Sequence, residues 1–330
     1  MADSTHITKV AIIGATGRIG AAFTSALLAT GKHTVTALTR PSSTGSIPSG
    51  AKIVKIDYED EDAMIKALQG QQFLAITLGV RAAPDLHGKI VKAAGKAGVP
   101  YIMPNSYGMD GANQRLLTEH PFPLAQEYNK RAQEITDAGS AYIVMCCGFW
   151  YEWSLALLEP WFGFTIKERK VTFFDDGKTK INTTTWDQCG RALAGLLSLP
   201  ISGASPCVED WKNKSLYIDS FRVSQRDMLD SIHRALGTTD ADWEIKHEGS
   251  LERYQRGMTE LQAGNQIGFA TAMYSRIFFP NGDGDYGSMY GLANNTLGLP
   301  KEDLDTITKR AVDMAEDDFA TKVFGQIGQN

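Results

Sequence analysis

Thr8-Lys-Val10-Ala-Ile-Ile13-Gly14-Ala-Thr16-Gly17-Arg18-Ile19-Gly20, followed at positions 34–40 by Thr-Val-Thr-Ala-Leu-Thr39-Arg40, is the stretch on which the fold turns. An apolar run meets three spaced glycines, an amphipathic segment follows to about residue 30, and a second strand-like run ends in a basic residue. That order is what a dinucleotide-binding turn requires. Gly14 allows a tight turn, Gly17 lets backbone approach a pyrophosphate, and Gly20 lets helix and strand pack closely. The helix start offers free N–H groups and the positive end of its dipole to phosphate. Arg40, with Ser42 and Ser43 beside it, stands where a carboxylate would bind the ribose hydroxyl of NAD. A guanidinium there suits the 2′-phosphate of NADP. The spacing is G-x-x-G-x-x-G, and context gives it weight: it follows a strand, opens a helix and lies near residue 1.

The bulk properties exclude several classes. With 330 residues, 43% hydrophobic and 22% charged, the chain has an ordinary globular composition and can bury a substantial core. A net charge of −5 without a Lys/Arg run argues against a nucleic-acid partner. Residues 1–9 are polar and mixed, unlike a signal peptide, and no apolar segment is long enough for a bilayer, so a cytoplasmic protein without a membrane partner is expected. The four cysteines include the adjacent Cys146 and Cys147 and form no spaced framework, which reads as reduced thiols.

Between residues 8 and 147 strand-like runs at 10–13, 33–39, 52–56, 73–78, 99–103 and 141–146 alternate with helical periodicity at 20–30, 61–68, 85–97 and 123–138. Alternation of this kind predicts an α/β fold, a Rossmann-type doubly wound parallel sheet with ligands beyond the C-terminal strand ends. After Gly148 aromatics cluster. A hairpin turning at Asp176-Gly177, helices near 186–197 and from Ser224 to Gly237, and a mostly helical 250–320 are expected. The organisation is therefore read as a dinucleotide-binding domain over 1–150 and a smaller α+β substrate-binding portion over 151–330, some segments of which return to the first sheet.

Candidate site residues fall mostly at strand ends. Asp57 and Tyr58 after strand three could meet the adenine, and Leu78-Gly79 after strand four could line the cofactor by backbone; each also reads as a plain turn. Strand five ends in Pro104-Asn105-Ser106-Tyr107-Gly108, a polar cluster that would face the nicotinamide or simply form a surface turn. Lys130 lies on the following helix. In a partly desolvated pocket beside a cationic ring its pKa would fall, suiting it as general acid or base; otherwise it is a solvated face residue. Tyr128 is two residues from Lys130, so the Tyr-x-x-x-Lys pair of ordinary short-chain dehydrogenases is absent. Phe149-Trp150-Tyr151-Glu152-Trp153 reads either as core filler or as the floor and wall of a pocket for a flat substrate. The six histidines show no ligand spacing, and the calcium-loop look-alike at Asn281, Asp283 and Asp285 has Leu292 where a bidentate Glu is needed, so no metal is expected. No Gly-x-Ser-x-Gly elbow is present.

In this order and spacing, Gly14 to Gly20, Thr39-Arg40, Asp57, Pro104 to Gly108, Lys130 and Phe149 to Trp153 resemble the NmrA-like and isoflavone-reductase-like atypical short-chain dehydrogenases, most of all their fungal members. The resemblance extends over most of the chain, to Leu297-Gly298-Leu299-Pro300. It implies NADP(H) held by Gly14, Thr16, Gly17, Arg18, Ile19, Gly20, Arg40, Ser43, Asp57, Tyr58, Leu78 and Gly79. It also implies Lys130 beside the nicotinamide and Trp150, Tyr151 and Glu152 closing over it. Lys130 and Tyr107 are then the expected catalytic groups, with Asn105, Phe149 and Trp153 in the substrate pocket. Where plant reductases carry Pro-Ser-Glu-Phe-Gly this chain has Pro104-Asn-Ser-Tyr-Gly108, so their substrates do not transfer. Two functions are implied. One is an NADPH-dependent reductase of a small aromatic or polyketide-like metabolite, as in secondary metabolism, with a homodimer as one expected assembly. The other is a non-catalytic NADP(H)-sensing regulator with a protein partner.

Overall fold

A computed structural model of the chain describes residues 5–79, 82–120 and 123–328; the first four residues of the polar start lie outside them. Seven parallel strands form the central sheet: β1 (Lys9–Ile13), β2 (Thr34–Thr39), β3 (Lys52–Lys55), β4 (Phe73–Ile76), β5 (Tyr101–Met103), β6 (Ala141–Cys146) and, from far along the chain, β11 (Lys214–Tyr217). Their spatial order is β3-β2-β1-β4-β5-β6-β11. The chain runs outward one way from β1 and the other way from β4, so the switch point lies between the ends of these two neighbours. Val10, Ala11, Ile12 and Ile13 have no exposed surface, as a central strand covered on both faces requires.

The helices α1 (Arg18–Ala29), α2 (Glu61–Leu68), α3 (Leu86–Lys96), α4 (Arg115–Thr118) and α5 (Pro123–Asp137) fall between these strands. On one face Phe23, Leu27 and the even-numbered residues of β1 share a core with Leu193, Leu196 and Leu197 of α7 (Trp186–Leu197). The second helix comes close because Gly190 has no side chain: a Cβ there would lie 2.6 Å from the Ala22 carbonyl of α1. On the other face Met64, Leu68, Ile90 and Ile135 cover Ala11, Leu74 and Ile102.

The remaining elements build a second core, rich in aromatics. They are β7 (Phe149–Trp150), α6 (Tyr151–Ala156), β8 (Phe164–Thr165), β9 (Lys170–Phe174), β10 (Ile181–Thr184), β12 (Phe221–Val223), α8 (Gln225–Leu236) and β13 (Glu244–Glu248), followed by α9 (Ser250–Gln262), α10 (Ile267–Ile277), α11 (Tyr286–Tyr290), α12 (Leu304–Glu316) and α13 (Phe319–Gly328). Helix α8 is capped as expected, Ser224 accepting from the Asp227 N–H and Gly237 ending it at φ 68°.

The expected hairpin at Asp176-Gly177 does not form. A turn is there, closed by the Gly177 N–H on the Phe174 carbonyl at 2.9 Å, but its two flanks join different sheets. Strand β9 pairs in parallel with β13 and antiparallel with β8, whereas β10 pairs with β7 and β12. The Asp175 N–H donates to the Glu248 carbonyl, extending the β13 ladder past the end of β9 and away from β10.

Candidate functional site

The glycine turn sits at the switch point. Gly14 has φ +86°, and a Cβ on it would lie 2.1 Å from the Thr77 carbonyl at the end of β4. On Gly20 a Cβ would meet the Gly14 carbonyl at 2.3 Å and Thr77 Oγ1 at 2.7 Å. Both positions therefore exclude any side chain. The Gly17 N–H closes the turn on the Gly14 carbonyl at 2.9 Å. Helix α1 then starts at Arg18 with Gly17 as N-cap, no capping side chain and no acid in its first turn. An uncapped, acid-free N-terminus reached over glycine backbone fits a pyrophosphate. Thr16 is covered by the loop after β2, where a Cβ on Gly45 would lie 2.6 Å from its own.

Arg18, the first residue of the helix, carries its guanidinium over three rings: 4.4 Å from the centroid of Trp153, 5.3 Å from Phe319 and 5.7 Å from Trp186. Among the described residues it makes no ion pair. Partial desolvation lowers its pKa. Ile19 next to it is buried in the core.

The second and third strand ends divide their candidates. Arg40 is exposed just past β2, and its carbonyl accepts from the Ser43 N–H at 3.0 Å. Asp57 is also exposed, but its Oδ1 accepts from the Glu59 N–H, an ordinary turn bond. Tyr58 points inward: its ring joins the core and its hydroxyl donates to the Leu38 carbonyl at 3.0 Å, so it is no free adenine contact. Leu78 is half-buried, and Gly79 is exposed with open space at its Cβ position.

The two expected catalytic groups, Tyr107 after β5 and Lys130 on α5, stand in different surroundings. The Tyr107 hydroxyl donates to the Ile76 carbonyl at 3.0 Å, its ring meets Phe23 edge-on, and burial pushes its pKa well above the ordinary value. It ties β4 to the loop after β5. The Lys130 side chain is 57% exposed, with its Nζ 4.0 Å from Glu127. Its neighbour Arg131 is the one that reaches inward, donating to the Asn105 carbonyl and, at 3.5 Å, to Ser106 Oγ. Successive helix residues point about 100° apart, which separates the two.

The aromatic run also splits. Phe149 stacks on Tyr274 at 3.9 Å, and the Tyr151 hydroxyl bonds Thr308 at 2.6 Å, both inside the second core. Trp150 and Trp153 stay half-buried and both contact Trp186, at 6.4 and 6.2 Å. Between them Glu152 is fully buried. Its Oε1 accepts from the Trp186 N–H at 3.1 Å, its Oε2 has no partner, and burial raises its pKa to about 7.

The calcium-loop look-alike is an ion-pair hub. Asp283 meets Arg276 at 2.7 Å and Arg115 at 2.7 Å, and Asp285 meets Arg222 at 2.6 Å. Among the described residues no group of three or more metal-ligating side chains is assembled. No helix among them is long and apolar enough to cross a membrane. The sequence reading missed Arg131, Trp186 as a ring and Phe319. Trp186 was visible only as the start of a helix, and nothing local marks Phe319.

Residues 14–154 match the NAD(P)H-binding family model. The oxidoreductase aprR of Aspergillus flavus is 26% identical over 302 residues, covering 91% of this chain and 97% of the relative. Residues 14–154 thus carry an NAD(P)H-binding region, and along most of its length the chain is similar to a fungal oxidoreductase. Two solved structures share its fold. An isoflavone reductase superposes with a TM-score of 0.71 at 20% identity over 92% of this chain and 99% of its own. AtPrR2, solved with NADP+ and (+)pinoresinol, gives 0.71 at 17% over 92% and 98%. The cofactor is thus a nicotinamide dinucleotide.

Proposed function

We propose that this oxidoreductase reduces a small, flat aromatic metabolite with NADPH. The observation that carries the reading is the placement of Trp153 and Trp186 beside Arg18, the first residue after the glycine turn, with Trp150 against Trp186. Gly14, Gly17, Gly20 and the first turn of α1 would hold the pyrophosphate, and Arg40 with Ser43 the 2′-phosphate. When bound, the nicotinamide supplies a hydride at C4. The half-buried tryptophans give the site apolar walls that exclude water and favour a planar ligand. Arg131 fixes the backbone at Asn105, and Tyr107 fixes the loop after β5 through Ile76, so both act as positioning residues. The pinoresinol bound by AtPrR2 is itself aromatic, which supports the substrate class.

One observation favours a second reading. The Tyr107 hydroxyl is spent on the Ile76 carbonyl, as suits an NADP(H)-sensing regulator that binds without turnover. One experiment separates the two: NADPH oxidation is followed against aromatic ketones, enones, quinones and benzylic ethers while NADPH and NADP+ affinities are titrated. Turnover of any member supports the reductase. No turnover together with strong discrimination between the two cofactor forms would reverse the assignment.

A further inference from the structure

The last helix of the chain reaches back to the first glycine turn. Phe319 opens α13, its ring meets Trp153 edge-on at 5.4 Å, and the Arg18 guanidinium lies 5.3 Å from it. The helix is held down independently of that contact. Val323 is buried in the second core, Phe324 meets Trp161 at 5.3 Å, and the corner before it is pinned by Lys167 on Asp318 at 2.5 Å.

We propose that α13 is part of the dinucleotide site, with Phe319 as a positioning residue. Together with Trp153 and Trp186 it forms an aromatic cage that holds the Arg18 guanidinium ready for the cofactor pyrophosphate. The inference rests on the NADPH reading of the turn.

The way other arginines are satisfied supports it. Arg191, Arg222, Arg226, Arg234, Arg253 and Arg276 each end on a carboxylate. Arg18 ends on ring faces. A carboxylate would consume its N–H donors and cancel its charge, whereas π faces attract the cation and leave the donor edge unspent. The cage also removes rotamer freedom in advance. An arginine side chain loses up to about 2 kcal/mol of entropy when fixed, so one already ordered binds phosphate at lower cost. Finally, the caged residue is the first of α1, beside the uncapped Gly17, where an anion would meet helix N–H groups and guanidinium together.

The test measures NADPH binding to the full-length protein by calorimetry and by quenching of tryptophan fluorescence. Phe319→Leu keeps the bulk against Trp153 but removes the π face; Phe319→Tyr restores it. Phe319→Leu should weaken NADPH about threefold to tenfold, the range for a partly exposed cation–π contact, with Phe319→Tyr near wild type. Melting temperature and the affinity for 2′-AMP, a probe of the Arg40 end alone, should stay unchanged. In an Arg18→Ala background Phe319→Leu should have no further effect. Unchanged or tightened NADPH binding in Phe319→Leu, or an equal loss with and without Arg18, overturns the inference while leaving the cofactor reading intact. Failure of the wild type to bind NADPH overturns both.

Discussion

Replacing Glu152 by Gln should change how stability depends on pH, and the structure fixes the sign. The carboxyl is fully buried, with one oxygen on the Trp186 N–H and the other without a partner. The charges near it nearly cancel, because Arg310 and Asp187 pair with each other at 3.0 Å. Burial therefore dominates and raises the group from its ordinary 4.5 to about 7. Between those values the folded protein keeps a proton that the unfolded chain releases. The group's stabilising contribution is full below about pH 4.5 and is lost as pH rises through about 7. At roughly 1.4 kcal/mol per tenfold change in proton affinity, the loss is about 3 kcal/mol. Gln keeps an oxygen for the Trp186 N–H and cannot ionise. Its stability relative to wild type should therefore climb by that amount between pH 4.5 and 8. With an unfolding entropy of ~2 cal/mol/K per residue, this is a gain of about 4 °C in Tm difference. Scanning calorimetry of both proteins across the range measures it directly. Other titrating groups are common to both and drop out of the difference. A Tm difference that stays constant from pH 4.5 to 8 would refute the argument that burial governs this carboxyl.

Arg40→Ala should weaken NADPH about 10- to 100-fold, the worth of hydrogen bonds to a charged group, while NADH binding barely changes. Equal losses for both dinucleotides would remove Arg40 from the 2′-phosphate. Gly20→Ala forces a Cβ to within 2.3 Å of the Gly14 carbonyl, and should lower stability by about 1–3 kcal/mol and abolish measurable NADPH binding. Gly79→Ala, with open space at that position, should melt like wild type in the same assay. Asp283→Asn leaves the buried Arg276 without its charge partner and should cost about 3–5 kcal/mol in denaturant unfolding. Calcium or a chelator should leave the wild-type Tm unmoved, since both arginines already occupy that carboxylate. Lys130→Ala should leave kcat on a substrate found by the NADPH screen within about twofold. A fall of ~100-fold or more, the scale of general acid–base catalysis, would restore it as a catalytic group.

How far the sequence carried depends on how local each signal is. The parallel sheet was legible because central strands such as β1 are covered on both faces and must read as unbroken apolar runs. The glycine turn was legible for a stricter reason: Gly14 and Gly20 face carbonyls at distances no side chain survives, so backbone geometry alone dictates residue type. Strand ends were legible as positions only. Which way a side chain points from them is settled by packing, and one step of helix exchanges an exposed Lys130 for an inward Arg131. Tyr107 was placed correctly at the end of β5, yet its hydroxyl found the Ile76 carbonyl before any ligand could. Likewise Asp176-Gly177 made its turn, but whether the flanks pair is decided by β13 some seventy residues on.

The Arg18 cage is the limiting case of this non-locality. Its four members come from the first helix, from α6, from the start of α7 and from the start of α13, and no two of them share a local pattern. Trp153 was singled out as a wall for substrate, and the geometry gives it a different neighbour, a cation that belongs to the cofactor turn. Under the cage proposal the N-terminal half would bring backbone N–H groups and two arginines for phosphate. The C-terminal half brings aromatic faces to orient one of those arginines, and then offers the remaining tryptophan surface to the ligand. On this view the returning elements α7 and α13 are needed for cofactor affinity as well as for substrate shape, and a dinucleotide half cut at residue 150 should bind NADPH more weakly than the whole chain even where it folds.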